Sequence, residues 1–365
     1  MPEKGKIDTK QAIMLSICLI LPTAMLSVPA VIIRHARQDA WISLILSIFI
    51  GLLVARLIVS LSFRFPDKTL FQYSEEILGR VPGKIVGLLY LWWVLHSNAI
   101  AIDEFASLPC VALMPDTPFV AFFIIAIVVA GYAVRNGLEV LSRYIELITP
   151  IGLGLMVSLF CLLTTKVKFE RLLPVFDKGL VSIVKGAAMP SGWMGEIVLF
   201  SMFIPYLNKP REACRVAVLS ILIIGIFMVS VTVGILLVFG PDVSSSWIFP
   251  VFMAIRAISI ANFLERVESV VIGIWVFMGF AKIGVLYYAA VLGSAQWLGL
   301  KDYRPLVAPV GIVLLGLAFL CPNIIDLLDF LARAFPPYAL IVFELGIPLI
   351  LLGASLIRGR RGESS

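Results

Sequence analysis

The residues of this chain that could do chemistry are those an apolar environment would ordinarily exclude. Glu196, Lys282, Glu146 and Glu344 each interrupt a long hydrophobic run, and His96, Asn98, Asp103 and Glu104 follow one another along a further run. Ionisable groups at bilayer depth are costly, so each requires an opposite charge, a polar cavity or a route to the interface. That requirement points to holding a small polar ligand or an ion. Catalysis is not expected: there is no GxSxG, P-loop or HExxH pattern, and the two histidines, His35 and His96, lie far apart. The cysteines Cys18, Cys110, Cys161, Cys214 and Cys321 are scattered without CxxC or His/Cys spacing. They read as small buried hydrophobes, and neither a metal nor a cofactor is expected.

The elements that must position these groups follow from hydropathy. The chain has 365 residues, 61% hydrophobic and 14% charged, with its apolar residues in runs of about twenty. Such runs are too long for barrel strands, and backbone in hydrocarbon must satisfy its own hydrogen bonds, so an all-α polytopic membrane protein is predicted. Ten spans are predicted: 11–33, 40–63, 85–108, 117–134, 141–164, 180–206, 214–239, 266–298, 305–321 and 337–357. The segment 241–265 is apolar but interrupted by Pro250, Arg256 and Asn262, and reads as a re-entrant or interfacial loop helix. The first run follows a basic lead-in but is too long for a signal peptide and is expected to stay. With the N-terminus cytoplasmic, seventeen basic residues collect on that side against ten opposite, which favours both termini inside. The net charge of +6 is then explained by loops facing anionic lipid, with no nucleic acid required.

Two spans carry helix-breaking residues near their middle. In the first, Pro22 and Pro29 bracket "TAMLS"; in the sixth, "KGAAMPSGWMGE" holds Gly186, Pro190, Gly192 and Gly195. Proline removes a backbone donor and glycine tolerates unwound backbone, so both spans are expected to be discontinuous. Ten spans divide into two sets of five, 11–164 and 180–357, with the interrupted span first in each. Because five is odd, the second set enters from the opposite face, giving an inverted repeat. This is the LeuT-like 5+5 arrangement of the amino acid, polyamine and organocation transporter superfamily. There the first, third, sixth and eighth spans surround a small ligand near the midplane, so the polar groups on those spans are the candidates. Asp103 and Glu104 lie nearer a helix end and are expected to face water. For Lys282 two roles stand open. In sodium-coupled superfamily relatives a cation sits between the first and eighth spans, and Lys282 would substitute for it; alternatively it forms a structural ion pair with Glu196 or another buried carboxylate.

The stretch "GKIDTKQAIMLSICLILPTAMLSVPAVIIRHARQDAWISLILS", with its proline-bracketed first span and "QDAW" lead into the second, resembles the B subunit of spore germinant receptors. So does "RFPDKTLFQYSEEILGRVPGKIVGLLYLWW", where an amphipathic segment leads to the third span. The likeness extends over essentially the whole chain. It implies a nutrient-sensing protein of the spore inner membrane, binding a small molecule such as an amino acid. It also implies work in a complex with an A subunit and a C-subunit lipoprotein. The resemblance maps a ligand site to Thr23, Ala24, Met25, Leu26 and Ser27 in the first span and to Ser191, Gly192, Trp193 and Glu196 in the sixth, with Asn98 and the neighbourhood of Gly279 added. Met25 and Trp193 would favour an apolar or compact ligand side chain. A secondary amino acid transporter on the same scaffold, and a structural partner that holds the A subunit in the membrane, are the alternatives.

Overall fold

A computed structural model describes residues 3, 5–163, 167–257, 267–320 and 324–358, and among them the secondary structure is helical apart from one isolated bridge. The helices are α1 (Thr9–Ala36), α2 (Ala40–Arg64), α3 (Leu70–Leu78), α4 (Arg80–Ala112), α5 (Phe119–Arg135), α6 (Leu138–Leu163), α7 (Gly179–Gly195), α8 (Ala213–Ser244), α9 (Pro250–Arg256), α10 (Val267–Leu298), α11 (Val307–Ala318) and α12 (Ile324–Arg333). A π-helical stretch, Pro337–Gly346, then leads into α13 (Ile347–Ile357). Among the described residues six stretches are long and apolar enough to cross a membrane; one of them, Thr9–Arg64, contains both α1 and α2, and α5 and α11 are shorter apolar helices. Each predicted span coincides with helix, usually within a few residues, because polar and proline-containing turns end the apolar runs. Among the described residues three short α-helices, α3, α9 and α12, lie between the spans. Of the segment 241–265, residues 250–256 form α9, while 258–265 lie outside the described residues, as do Cys321, Lys4, Lys166, Arg266, Arg360 and Arg361.

The centre of the bundle is α1. Every residue from Leu15 to Ile33 is buried, as expected of a helix that is apolar all round and enclosed on every side. Its neighbours are α2, α6, α7, α8 and α10, while α10 also packs on α4, α5 and α6. Apolar surface gains little by leaving lipid for protein, so close packing of small residues and interhelical hydrogen bonds hold such a bundle together. The outer helices keep apolar residues exposed for lipid, among them Val128 on α5, Ile312 on α11 and Ile350 on α13. Cys18 and Cys110 are buried as expected, whereas Cys161 lies on the exposed face of α6.

The first span departs from expectation. It runs as one α-helix from Thr9 to Ala36 with Pro22 and Pro29 inside it. Each proline forfeits its own N–H and so leaves the carbonyl four residues earlier, Cys18 O or Met25 O, without its helical donor, which the helix tolerates inside the packed bundle; nearby, the Trp275 indole donates to Pro22 O at 3.1 Å and the Ser27 hydroxyl to Thr23 O at 3.0 Å. The sixth span is likewise helical through its glycines and changes only at Glu196, where the 3-10 helix Glu196–Met202 begins. Close approach, not unwinding, explains the glycines: a Cβ on Gly186 would meet the Ser43 hydroxyl of α2 at 2.7 Å, and one on Gly195 would collide with the Glu344 carboxylate.

The start of the chain closes one end of the bundle. Ile7 is fully buried, its N–H donates to Tyr206 O at 2.9 Å, and Asn208 N–H donates back to Ile7 O at 2.9 Å. Asp8 then caps α1, accepting from Gln11 N–H at 2.7 Å while the Gln11 side chain accepts from Asp8 N–H at 3.1 Å, a reciprocal box that satisfies donors otherwise left open at a helix start.

Candidate functional site

Four elements converge where α7 gives way to 3-10 helix. From α1 comes Thr23, from the end of α7 Trp193, from the first 3-10 position Glu196, and from the middle of α10 Lys282. Lys282 Nζ donates to Glu196 Oε2 at 2.7 Å and to Thr23 Oγ1 at 2.7 Å, and the Trp193 indole N–H donates to the same Thr23 Oγ1 at 3.0 Å. One hydroxyl oxygen thus accepts from two donors, tying α1 to both α7 and α10. The Lys282 and Glu196 side chains are each 2% exposed, and the ammonium sits 5.9 Å from the Trp193 ring centroid. In a low-dielectric interior this pair is viable because its charges meet directly and further hydrogen bonds satisfy the ammonium.

Around this knot lies a crevice also lined by Ser97, Ile100, Ala101 and Glu104 of α4 and by Phe335, just beyond α12. The three α4 positions Ser97, Ala101 and Glu104 fall on one helical stripe. Phe335 meets Trp193 edge to face, ring centroids 4.4 Å apart, and lies against Gly192, where a Cβ would be 3.2 Å from its ring. The crevice is closed, with no room for a water molecule.

Of the residues singled out in the sequence, the fold brings Thr23, Trp193, Glu196 and Lys282 to the crevice wall. Ala24, Met25, Leu26 and Ser27 are buried in α1 but do not line it. Ser191 is fully buried, its hydroxyl turned back to Ala187 O at 2.6 Å. Asn98 lies one residue round from the lining stripe, buried, with neither amide atom hydrogen-bonded among the described residues. Gly279 faces Phe105 instead, where a Cβ would approach that ring to 2.7 Å.

The expectation that Asp103 and Glu104 face water is overturned. They are 3% and 1% exposed, because α4 runs on to Ala112 and places both well inside the helix. Among the described residues no group completes a well-formed hydrogen bond to either carboxylate oxygen of Glu104, whose nearest polar neighbour on α1 is the Ser27 hydroxyl, or to either of Glu344, which is fully buried beside Gly195. Glu146, by contrast, sits near the chain's start, accepting from Lys10 Nζ at 2.9 Å and Gln11 Nε2 at 3.1 Å. His96 packs among aromatic rings, stacked on Trp92 with ring centroids 5.7 Å apart. The residues missed from sequence, Ser97, Ile100, Ala101 and Phe335, gave little signal: two are small, and the other two are apolar residues in an apolar chain.

A wall with one bonded ion pair, one carboxyl lacking a well-formed hydrogen bond among the described residues, and aromatic rings can hold a small ligand that carries charge at one end and an apolar group at the other.

Comparisons with known proteins agree with this architecture. The profile of the family described as spore germination protein matches residues 6–323. Spore germination protein KB of Bacillus subtilis (strain 168) is 26% identical over 369 residues, covering 100% of this chain and 98% of the relative. Spore germination protein YndE of the same organism is 25% identical, covering 98% of each. Among solved structures, a Na+-coupled sialic acid symporter in a substrate-bound outward-open state superposes with a TM-score of 0.65 at 13% identity, over 94% of this chain and 80% of the symporter. MhsT in complex with L-phenylalanine gives 0.60 at 13% identity, over 97% and 92%. These likenesses show the fold, that of LeuT-type transporters.

Proposed function

The chain belongs to the spore germination protein family, and from that premise we propose that it is the nutrient-sensing subunit of a germinant receptor in the spore inner membrane. The crevice between Thr23, Glu104, Trp193, Glu196, Lys282 and Phe335 is its ligand site, and an amino acid is the ligand class. The observation that carries this reading is the Glu104 carboxyl, without a well-formed hydrogen bond among the described residues, facing the same crevice as the Lys282–Glu196 pair. A ligand ammonium satisfies Glu104, a ligand carboxylate draws on Lys282, and an apolar side chain packs on Trp193 and Phe335. Lys282 supplies from the protein the cation that joins α1 to α10, so sodium is not required.

Ten membrane crossings form the two inverted repeats 11–164 and 180–357, with both termini on the cytoplasmic side. Because the crevice is closed, ligand admission requires Phe335 to move from Trp193, and closure around ligand is the signal. Shifting such an equilibrium from 1:99 to 99:1 takes about 5.5 kcal/mol of differential binding. That closure is read by an A subunit and a C-subunit lipoprotein.

The test is binding of an amino acid panel to the purified chain in nanodiscs, read by thermal shift, with Gly192→Trp as the blocked form and Glu104→Ala as the charge-deleted form. Saturable stabilisation in the wild type that both variants lose supports the site. No stabilisation of the folded wild type rejects it. A second reading, a secondary amino acid transporter, is favoured by the LeuT-type fold; accumulation of labelled amino acid in proteoliposomes containing this chain alone would select it.

A further inference from the structure

A second crevice, of about 690 Å³, runs between α5 and α11 on the outer face of the bundle. Its walls are Ile124, Val128 and Tyr132 from α5 and Ala308, Ile312 and Leu315 from α11. On each helix these positions recur at three- or four-residue spacing, so they form one stripe along the helix. They are turned outward: Val128 is 63% and Ile312 72% exposed.

The floor is built. Gly131 and Gly311 leave space for the Tyr287 ring of α10 to rise between the two helices, and the Tyr287 hydroxyl donates to Val307 O. A Cβ on Gly311 would collide with that hydroxyl.

One end of the trough is cationic. Arg135 closes α5 and Arg304 opens the 3-10 turn before α11, so the antiparallel helices bring both guanidiniums to the same mouth. Among the described residues neither forms an ion pair. The one carboxylate in the lining, Asp302, accepts from Arg304 N–H at 3.1 Å and caps the turn.

We propose that this crevice binds one anionic phospholipid, its acyl chain in the trough and its phosphate between Arg135 and Arg304. Guanidinium forks match phosphate oxygens in pairs, and basic pockets between membrane helices are suited to anionic headgroups. A helix from a protein partner would fill the trough but leave two cations unanswered, so charge complementarity selects the lipid.

The experiment is native mass spectrometry of the full chain after exchange into equimolar phosphatidylglycerol and phosphatidylcholine with matched acyl chains. The wild type retains phosphatidylglycerol over phosphatidylcholine by about fivefold, two arginines acting against one aspartate. Arg135→Ala/Arg304→Ala abolishes the preference, Arg135→Lys/Arg304→Lys keeps most of it, and Ala308→Trp, which fills the trough at an exposed position, lowers retention of both lipids. Equal retention of the two lipids by the wild type overturns the proposal, as does a preference that survives in the double alanine variant. Crosslinking from a photoreactive residue at Val128 to protein and not to lipid, in native membranes, also overturns it.

Discussion

Lys282 Nζ lies 2.7 Å from Glu196 Oε2, and both side chains are sealed inside the bundle at 2% exposure. The same ammonium reaches Thr23 Oγ1, so one side chain on α10 fixes both the central helix and the point where α7 changes to 3-10 geometry. Removing one partner strands the other charge in a low-dielectric interior, at a cost of about 3–5 kcal/mol. Lys282→Met and Glu196→Gln are each expected to lower the melting temperature strongly. The double variant is expected to melt nearer the wild type than either single one, since no stranded charge remains. A double-mutant cycle in detergent measures this; strictly additive losses would mean that the two groups do not stabilise each other.

A second prediction concerns Gly195. The Glu344 carboxyl lies where a Cβ on this glycine would be, and Glu344 is fully buried. Gly195→Ala is therefore expected to destabilise by roughly 1–3 kcal/mol as an overpacking change. Gly316→Ala in α11, where the added Cβ meets nothing within 4 Å, is expected to be neutral or to stabilise by up to about 1 kcal/mol. Adding Glu344→Ala to Gly195→Ala should recover much of the loss. If the two glycine substitutions behave alike in thermal melts, the contact is not the cause.

Phe335 gives the third. Its ring closes the crevice over Trp193 and Gly192. Phe335→Ala is expected to open a path to Ser97, which is 3% exposed on the opposite wall. A Ser97→Cys probe, placed in a chain freed of its native cysteines, should then react severalfold faster with a water-soluble maleimide. An unchanged rate would assign the closure to other residues.

The spans were legible because hydrocarbon tolerates only long apolar helices, and their ends are written in charged and proline-containing turns. Glu196 and Lys282 were legible for a related reason, since ionisable residues inside such spans stand out, whereas Thr23 and Trp193 came from the family resemblance. Less visible was what helix-perturbing residues do. Pro22 and Pro29 read as a break in α1, yet the helix continues through both from Thr9 to Ala36. The glycines of α7 read as unwound backbone, and they prove to be contact points for Ser43, Phe335 and Glu344. Such contacts join residues more than a hundred positions apart, and no local pattern records them. Glu104 was misjudged because hydropathy ended the third span at 108, four residues short of the helix end.

The last prediction tests the strap at the start of the chain. Ile7 is fully buried and exchanges backbone hydrogen bonds with Tyr206 and Asn208, and the Glu3 carboxylate accepts from the Tyr288 hydroxyl at 2.7 Å. A charge at position 7 loses the apolar packing and has no partner to compensate it, so Ile7→Asp is expected to release the strap without disturbing helices that make their own hydrogen bonds. Hydrogen exchange then reads the result locally. Protection of the Asn208 amide, which donates to Ile7 O at 2.9 Å, should fall toward that of an open loop, while amides in the middle of α1 and α10 keep theirs. Loss of protection throughout α1 would instead make the strap part of the fold's cooperative core; unchanged protection at Asn208 would mean that another group accepts from its amide.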